Sequence, residues 1–142
     1  MAFRYYLRVR YDECDAQKVV FNARYGVYAD LAVGEFFRAL GYGEQVVSGE
    51  LDYQLVRQVT EWKSPARYDD VVEAEVRVVR IGTTSLTLAV DFRLDGRATL
   101  IATLETVYVM VDRALAKKPV PDALRAALER PLDAVTDHAA RG

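Results

Sequence analysis

The chain has 142 residues, a formal net charge of −2 and a hydrophobic fraction of 51%, which fits one globular domain with a substantial core. Basic residues are spread along the chain and balanced by acids, so we expect no nucleic-acid partner. One cysteine excludes an internal disulfide, and a single histidine, His138, argues against a histidine-dependent triad or a multi-histidine metal site. No apolar run is long enough for a signal peptide or a membrane span, which predicts a cytoplasmic protein without integral membrane association.

The N-terminal segment alternates apolar and charged side chains, and this period of two predicts a half-buried strand. One face of that strand carries Phe3, Tyr5, Leu7, Val9 and Tyr11. The strand is expected to end at the acidic stretch of residues 12–15, which is too polar to continue a buried face.

A second pattern, with a period of 3.6 residues, runs from Tyr25 to Leu40. It predicts a helix of about five turns with one apolar face. Asn22 is a residue type that favours the N-cap of such a helix, and Gly41 is placed to end it. Residues 43–49 are expected to form a loop.

The remainder of the chain is rich in strand-forming residues and short turns. Strands are predicted at about 53–63, 70–81, 84–94 and 98–111. This order predicts a sheet of about five mostly antiparallel strands, with the helix covering one face. The other face also carries apolar side chains, so we expect it to meet a second copy of the chain. Residues 122–130 are predicted to form a short helix, and the tail after Pro131 is expected to be frayed.

Three acids, Asp12, Glu13 and Asp15, lie between the first strand and the long helix. Free N–H groups at a helix N-terminus stabilise a developing oxyanion, and a carboxylate just upstream can act as a general base or a nucleophile. The same acids could instead form a cap or turn, or bind a divalent cation, although the spacing of a calcium loop is absent. Cys14 is expected to be a small semi-buried residue and not a nucleophile, because its acidic neighbours raise the pKa of its thiol.

The segment from Val9 to Tyr25, VRYDECDAQKVVFNARY, resembles the 4-hydroxybenzoyl-CoA thioesterase family of hotdog-fold proteins, above all its acyl-CoA thioester hydrolase branch. Residues 35–41, 64–70 and 79–86 match further blocks of that family in the same order. The resemblance implies an α+β hotdog fold, in which a roughly five-stranded, mostly antiparallel sheet wraps around one long central helix. Residues 1–131 would form the single domain, and residues 132–142 a polar C-terminal tail.

The resemblance also implies roles for individual residues around the acidic stretch. Asp15 falls on the family's catalytic carboxylate, which attacks the thioester carbonyl or activates water. Asn22 falls where a backbone N–H at the helix start polarises that carbonyl, so its side chain need not take part. Tyr25, with Tyr28 and Ala29, is expected to lie against the acyl chain across a dimer interface.

The turn after the third predicted strand corresponds to the place where relatives contact the pantetheine arm or the nucleotide of coenzyme A. Its residues are Gly82, Thr83, Thr84 and Ser85. Three cations are candidate partners of the coenzyme A phosphates, namely Arg80, Lys117 and Lys118. The alternative interpretation of these three residues is solvated surface charge.

One position departs from the family pattern. Lys18 stands where many relatives have glycine. If that glycine adopts a left-handed backbone angle, a lysine there is strained. Asp15 itself is intact, so activity remains the favoured prediction.

The sequence therefore predicts an acyl-CoA thioesterase that uses no metal and no cofactor beyond the coenzyme A of its substrate, and that assembles as a homodimer or homotetramer. Two alternatives stay open: a non-catalytic acyl-thioester-binding or scaffold subunit, and a hydrolase of acyl groups on acyl carrier protein. The acyl group is also open. Aromatic residues that could line a pocket for an aromatic or medium-length acyl chain, or simply belong to the core, are Phe21, Tyr25, Tyr28 and Trp62.

Overall fold

The computed structural model describes residues 2–141, which form one sheet, one long helix and two short helices. The strands are β1 (Phe3–Arg8), β2 (Asp52–Trp62), β3 (Val71–Ile81), β4 (Ser85–Leu94), β5 (Leu100–Val111) and β6 (Ala134–Asp137). The helices are α1 (Arg24–Ala39), α2 (Gly43–Ser48) and α3 (Asp122–Glu129), and a single 3-10 turn spans Tyr11–Glu13.

The sheet has the strand order β2-β5-β4-β3-β1-β6. All neighbouring pairs are antiparallel except β1 and β6, which are parallel. The four strands predicted after the long helix are confirmed, with ends within two residues of the expected positions. Across residues 2–141, no helix is both long and apolar enough to cross a membrane.

Helix α1 packs its apolar stripe against one face of the sheet, as its period predicts. Its buried residues are Tyr25, Tyr28, Ala29, Ala32, Val33, Phe36 and Phe37. They join the inward side chains of the sheet in one core, where Phe36 meets Phe3 and Tyr25 meets Phe92 edge to face. Gly41, with a φ of 96°, follows the helix as expected. One long helix on a mostly antiparallel sheet is the hotdog arrangement that the resemblance implies.

Two details at the N-terminal side differ from expectation. Strand β1 ends at Arg8, and Tyr11 is 80% exposed rather than part of the buried face, because the chain leaves the sheet in a 3-10 turn. Helix α1 begins at Arg24, so Asn22 is not its N-cap. The N-cap position belongs to Ala23, which makes no side-chain cap, and the Arg24 N–H instead donates to the carbonyl of Phe21 at 2.8 Å.

Two segments expected to lack regular structure have it. Residues 43–48 form the short helix α2 instead of a loop. The tail that was expected to fray contains β6, which pairs with the outer edge of β1, and the Arg141 guanidinium lies 3.5 Å from the centre of the Tyr6 ring. An otherwise unpaired strand edge attracts a pairing partner, and this long-range contact leaves little trace in local composition.

Candidate active site

Asp15 lies in a tight loop that the backbone closes between β1 and α1. Its N–H donates to the carbonyl of Val19 at 2.9 Å, and its own carbonyl accepts the N–H of Lys18 at 2.9 Å. The N–H of Gln17 donates to Asp15 Oδ1 at 2.8 Å, so the side chain forms an Asx turn through one oxygen. The arrangement leaves Oδ2 available to a ligand.

The neighbouring acids differ from Asp15 in what they contact. Glu13 Oε1 accepts the Tyr28 hydroxyl and the Arg10 N–H, both at 2.8 Å, so this carboxylate ties the 3-10 turn to the helix. Asp12 is exposed. Within residues 2–141, no three or more potential metal ligands come together as a cluster. Among the three acids, Asp15 is the one that borders the cavity at the entry to α1.

The chain enters α1 through a turn over residues 21–24. The Phe21 N–H donates to the Glu13 carbonyl at 3.0 Å and the Phe21 carbonyl accepts the Arg24 N–H. In the part of the chain that the structure describes, the N–H groups of Asn22 and Ala23 donate to no backbone carbonyl. They are the free donors of a helix start.

Asp15 and the helix start border the same cavity of about 440 Å³. It is lined by Asp15, Gln17, Val19, Val20, Asn22, Tyr25, Trp62, Lys63, Ser64 and Pro65. Three residues that the resemblance assigns to the site, Asp15, Asn22 and Tyr25, are therefore brought together. Tyr28 and Ala29 do not border this cavity and lie in the core.

Two other titratable groups near Asp15 are held neutral. Burial raises the pKa of Tyr25 to about 12, with a backbone hydrogen bond from Ala66 opposing the shift. Burial, followed by the carboxylates of Glu13, Asp15 and Asp12, raises the pKa of the Cys14 thiol. A protonated Cys14 is a poor nucleophile, as the sequence predicts.

A second cavity, of about 590 Å³, lies on the other side of the Asp15 loop. Two exposed tyrosines, Tyr11 and Tyr68, border it and meet edge to face with ring centres 5.8 Å apart. Lys18 also borders it, and its φ of 65° confirms the left-handed angle suspected from the glycine of relatives. Asp15 thus separates two cavities and is within reach of a ligand in either.

The turn of residues 82–85 lies at the other end of the sheet from Asp15. Ser85 pairs with Val109, whereas Phe92 pairs with Ala102, the residue opposite Trp62. At about 3.3 Å per strand residue, the separation along β4 is about 23 Å. Within one chain, the predicted coenzyme A residues Gly82, Thr83, Thr84 and Ser85 are not brought to Asp15.

This distant turn is braced by hydrogen bonds to its carbonyls. The carbonyl of Gly82 accepts Arg125 Nη2 at 2.6 Å, that of Thr83 accepts the Val120 N–H at 2.9 Å, and that of Thr84 accepts the Met110 N–H at 2.8 Å. The cations Arg80, Lys117 and Lys118 belong to the same end of the sheet, since Arg80 is the penultimate residue of β3 and Lys117 pairs with the end of β5.

Several residues of the Asp15 cavity were not predicted to be site residues, although they lie in segments that match the family. Gln17, Ser64 and Pro65 enter it because the loop at residues 64–67 packs against the Asp15 loop, where the Val20 N–H donates to the Ala66 carbonyl. Trp62 was a candidate only for lining an acyl pocket. Its Nε1–H donates to the carbonyl of Asn22 at 3.0 Å, a contact across 40 residues that no local pattern reveals.

One long helix packed against this mostly antiparallel sheet defines a hotdog-fold protein. The sequence profile of the Thioesterase-like superfamily matches residues 9–128. The chain belongs to this superfamily.

Relatives agree in sequence and in structure. The chain is 32% identical over 127 residues to the acyl-CoA thioester hydrolase YbgC of Escherichia coli, covering 84% of this chain and 94% of that protein. A thioesterase-superfamily structure from Jannaschia has a TM-score of 0.84 at 23% identity, covering 93% of this chain and 94% of its own. A 1,4-dihydroxy-2-naphthoyl-CoA thioesterase from Synechocystis has a TM-score of 0.79 at 17% identity, covering 90% and 96%. These two structures establish the fold.

Proposed function

We propose that this protein is an acyl-CoA thioesterase that hydrolyses a thioester to a free carboxylic acid and coenzyme A. The observation that carries the proposal is one cavity bordered by Asp15, which has one carboxylate oxygen free, and by Asn22 at the entry to α1, whose N–H has no backbone acceptor among residues 2–141. The activity named for YbgC, the 32% identical relative, supports it. The reaction needs no metal and no cofactor besides the coenzyme A of the substrate.

In the proposed mechanism, the thioester oxygen lies at the N–H of Asn22, where the helix N-terminus favours negative charge. Asp15 takes a proton from water as the water oxygen bonds to the carbonyl carbon. The tetrahedral intermediate then collapses, the C–S bond breaks, and the thiolate of coenzyme A takes the proton from Asp15. In the alternative route, Asp15 attacks the carbonyl itself, the C–S bond breaks, and coenzyme A leaves as the thiolate. Water then hydrolyses the anhydride, which restores the Asp15 carboxylate, and a proton from that water goes to the thiolate.

The neutral Tyr25 suits the wall of an acyl pocket. Its hydroxyl stays protonated at ordinary pH because burial raises its pKa to about 12. Trp62 adds a second aromatic surface to the same cavity. We assign the acyl group to this cavity and leave its length and aromatic character to a substrate panel.

The coenzyme A contacts proposed for the turn of residues 82–85, and for Arg80, Lys117 and Lys118, need a second chain. Within one chain that turn is about 23 Å along β4 from the Asp15 end, at about 3.3 Å per residue. A homodimer or homotetramer would supply the turn from a neighbouring copy. Exposed apolar residues on the edge strand β2 and on α1 support such an assembly: Leu55, Val56, Val59, Val27 and Leu31. A cytoplasmic location remains a prediction from the sequence.

The proposed function is tested by Asp15→Asn, which removes the base and keeps the size of the side chain. We expect thioester hydrolysis, followed as thiol release, to fall by a factor of about 10² to 10⁴. Asp12→Asn is the matched control, since Asp12 is an exposed carboxylate of the same loop, and it should retain wild-type turnover.

Wild-type turnover in Asp15→Asn would rule out the assigned role. The substrates should be acyl-CoAs of several chain lengths, an aromatic acyl-CoA and one acyl group on acyl carrier protein. Tight binding of acyl-CoA without hydrolysis by the wild-type protein would contradict the enzyme proposal and identify a scaffold.

A further inference from the structure

Trp62, the last residue of β2, contacts the start of α1. Its Nε1–H donates to the carbonyl oxygen of Asn22 at 3.0 Å, and its ring borders the cavity that holds Asp15. The side chain is 56% exposed, so burial in the core does not explain its position. The hydrogen bond is the specific contact that it makes at the helix start.

A peptide unit is planar, and its N–H and C=O point in opposite directions. The carbonyl of Asn22 and the N–H of Ala23 belong to one such plane. By holding the Asn22 carbonyl, Trp62 therefore sets the direction of the Ala23 N–H. That N–H donates to no backbone carbonyl among residues 2–141.

The peptide between Phe21 and Asn22 is also held by a hydrogen bond to its carbonyl. The carbonyl of Phe21 accepts the Arg24 N–H at 2.8 Å, and this bond sets the direction of the N–H of Asn22. Two consecutive free N–H groups at the helix start are thus oriented by one backbone bond and one side-chain bond. N–H groups of a first helical turn point toward the N-terminal end, where an anion is stabilised.

We propose that Trp62 is a positioning residue for thioester hydrolysis, and that the Ala23 N–H acts with the Asn22 N–H as a second donor to the oxyanion. The inference rests on the proposed function, because it assigns a role in that reaction. Trp62 acts through the peptide that it orients and takes no part in proton transfer.

The kinetic test is Trp62→Phe, which keeps an aromatic ring at the cavity and removes the N–H donor. Loss of a fixed oxyanion donor lowers kcat, and partial disorder of one donor out of two should lower it about tenfold. KM should stay within about twofold, because ground-state binding does not depend on this N–H.

Tyr6→Phe is the matched control. It also removes one aromatic donor, the hydroxyl that donates to Glu73 at 2.9 Å on β3, and it should leave kcat unchanged. A kcat within about twofold of wild type in Trp62→Phe would overturn the inference, because a change of that size is smaller than the effect of losing one hydrogen bond. A raised KM with unchanged kcat would overturn it as well, because Trp62 would then act only as a wall of the pocket.

A second measurement does not depend on turnover. Trp62 is the single tryptophan of the chain, so its indole N–H gives one resonance in a nitrogen–proton correlation spectrum. We expect slow solvent exchange of that indole proton, and a shift of the Ala23 amide resonance in Trp62→Phe. Free exchange of the indole proton, or an unchanged Ala23 amide, would overturn the inference.

The two proposals can fail separately. If wild-type protein releases thiol, Asp15→Asn abolishes release and Trp62→Phe does not alter kcat, the proposed function stands and the role of Trp62 is wrong. If wild-type protein releases no thiol, both the proposed function and the catalytic role of Trp62 are overturned.

Discussion

The two groups of predicted site residues lie near opposite ends of strand β4, and the two ends differ in how their backbone groups are used. At the Asp15 end, the N–H groups of Asn22 and Ala23 have no backbone acceptor among residues 2–141. At the end that holds residues 82–85, the carbonyls of Gly82, Thr83 and Thr84 each accept a hydrogen bond from elsewhere in the chain.

Under the proposed function, we expect the first end to carry the chemistry and the second end to hold the substrate. Free donors beside a carboxylate can stabilise a changing charge during a reaction. A braced turn with cations around it can hold a substrate group of fixed charge. Variants at the second end should therefore change stability or substrate affinity and leave kcat unchanged.

Among the variants that test this comparison, the largest effect is expected for Arg125→Met. This change removes the donor to the Gly82 carbonyl and leaves an unbranched apolar side chain in its place. A hydrogen bond from a charged group contributes about 1.5–3 kcal/mol, so we expect a loss of about 2 kcal/mol in the free energy of unfolding. Urea unfolding measures it, and kcat of the folded protein should not change.

Arg93→Met serves as the control, because the Arg93 side chain donates to the Ala98 carbonyl through a longer, exposed hydrogen bond of 3.3 Å. It should cost less than half as much. Equal losses in the two variants would show that the turn of residues 82–85 is not specially braced.

A smaller effect is expected from the double variant Lys117→Gln, Lys118→Gln, which removes two cations from the second end. If they contact coenzyme A phosphates, KM for an acyl-CoA should rise about tenfold, since contacts of charged groups with phosphate are among the stronger polar interactions. The matched substrate is an acyl-pantetheine thioester, which lacks the nucleotide and should show an unchanged KM. A wild-type KM for acyl-CoA would indicate solvated surface charge.

The smallest effect is expected from Lys18→Gly at the Asp15 end. Lys18 has a φ of 65°, and glycine adopts this angle without the steric cost that other residues incur, so the free energy of unfolding should rise by about 1 kcal/mol. Gln17→Gly, at a neighbouring exposed position without a positive φ, should instead lower it. A loss of stability in Lys18→Gly would indicate that the lysine side chain stabilises the loop.

Local patterns in the sequence predict the strands and the central helix, because each depends on residues close together in the chain, whereas the choice of Asp15 among three neighbouring acids comes from the family resemblance. The period of two in β1 and the period of 3.6 in α1 are examples. The φ of Lys18 was also predictable, once the family pattern suggested a glycine.

Contacts between distant segments were not predictable in this way. The pairing of β6 with β1 and the bond from Trp62 to Asn22 both depend on how the sheet brings separate segments together. The 23 Å or so between the Asp15 end and the turn of residues 82–85 has the same origin, because it follows from strand register at about 3.3 Å per residue. The identity of the candidate residues in the sequence does not tell how far apart they lie in the folded chain.

The short edge strand β6 limits how the sheets of two chains could pair. It covers one border of the sheet, and with four residues it offers only a short border of its own. The opposite border is β2, with eleven residues. Two chains joined edge to edge through β2 would have only the short β6 borders left at the outside, so the growth of a continuous fibre would stop at a pair.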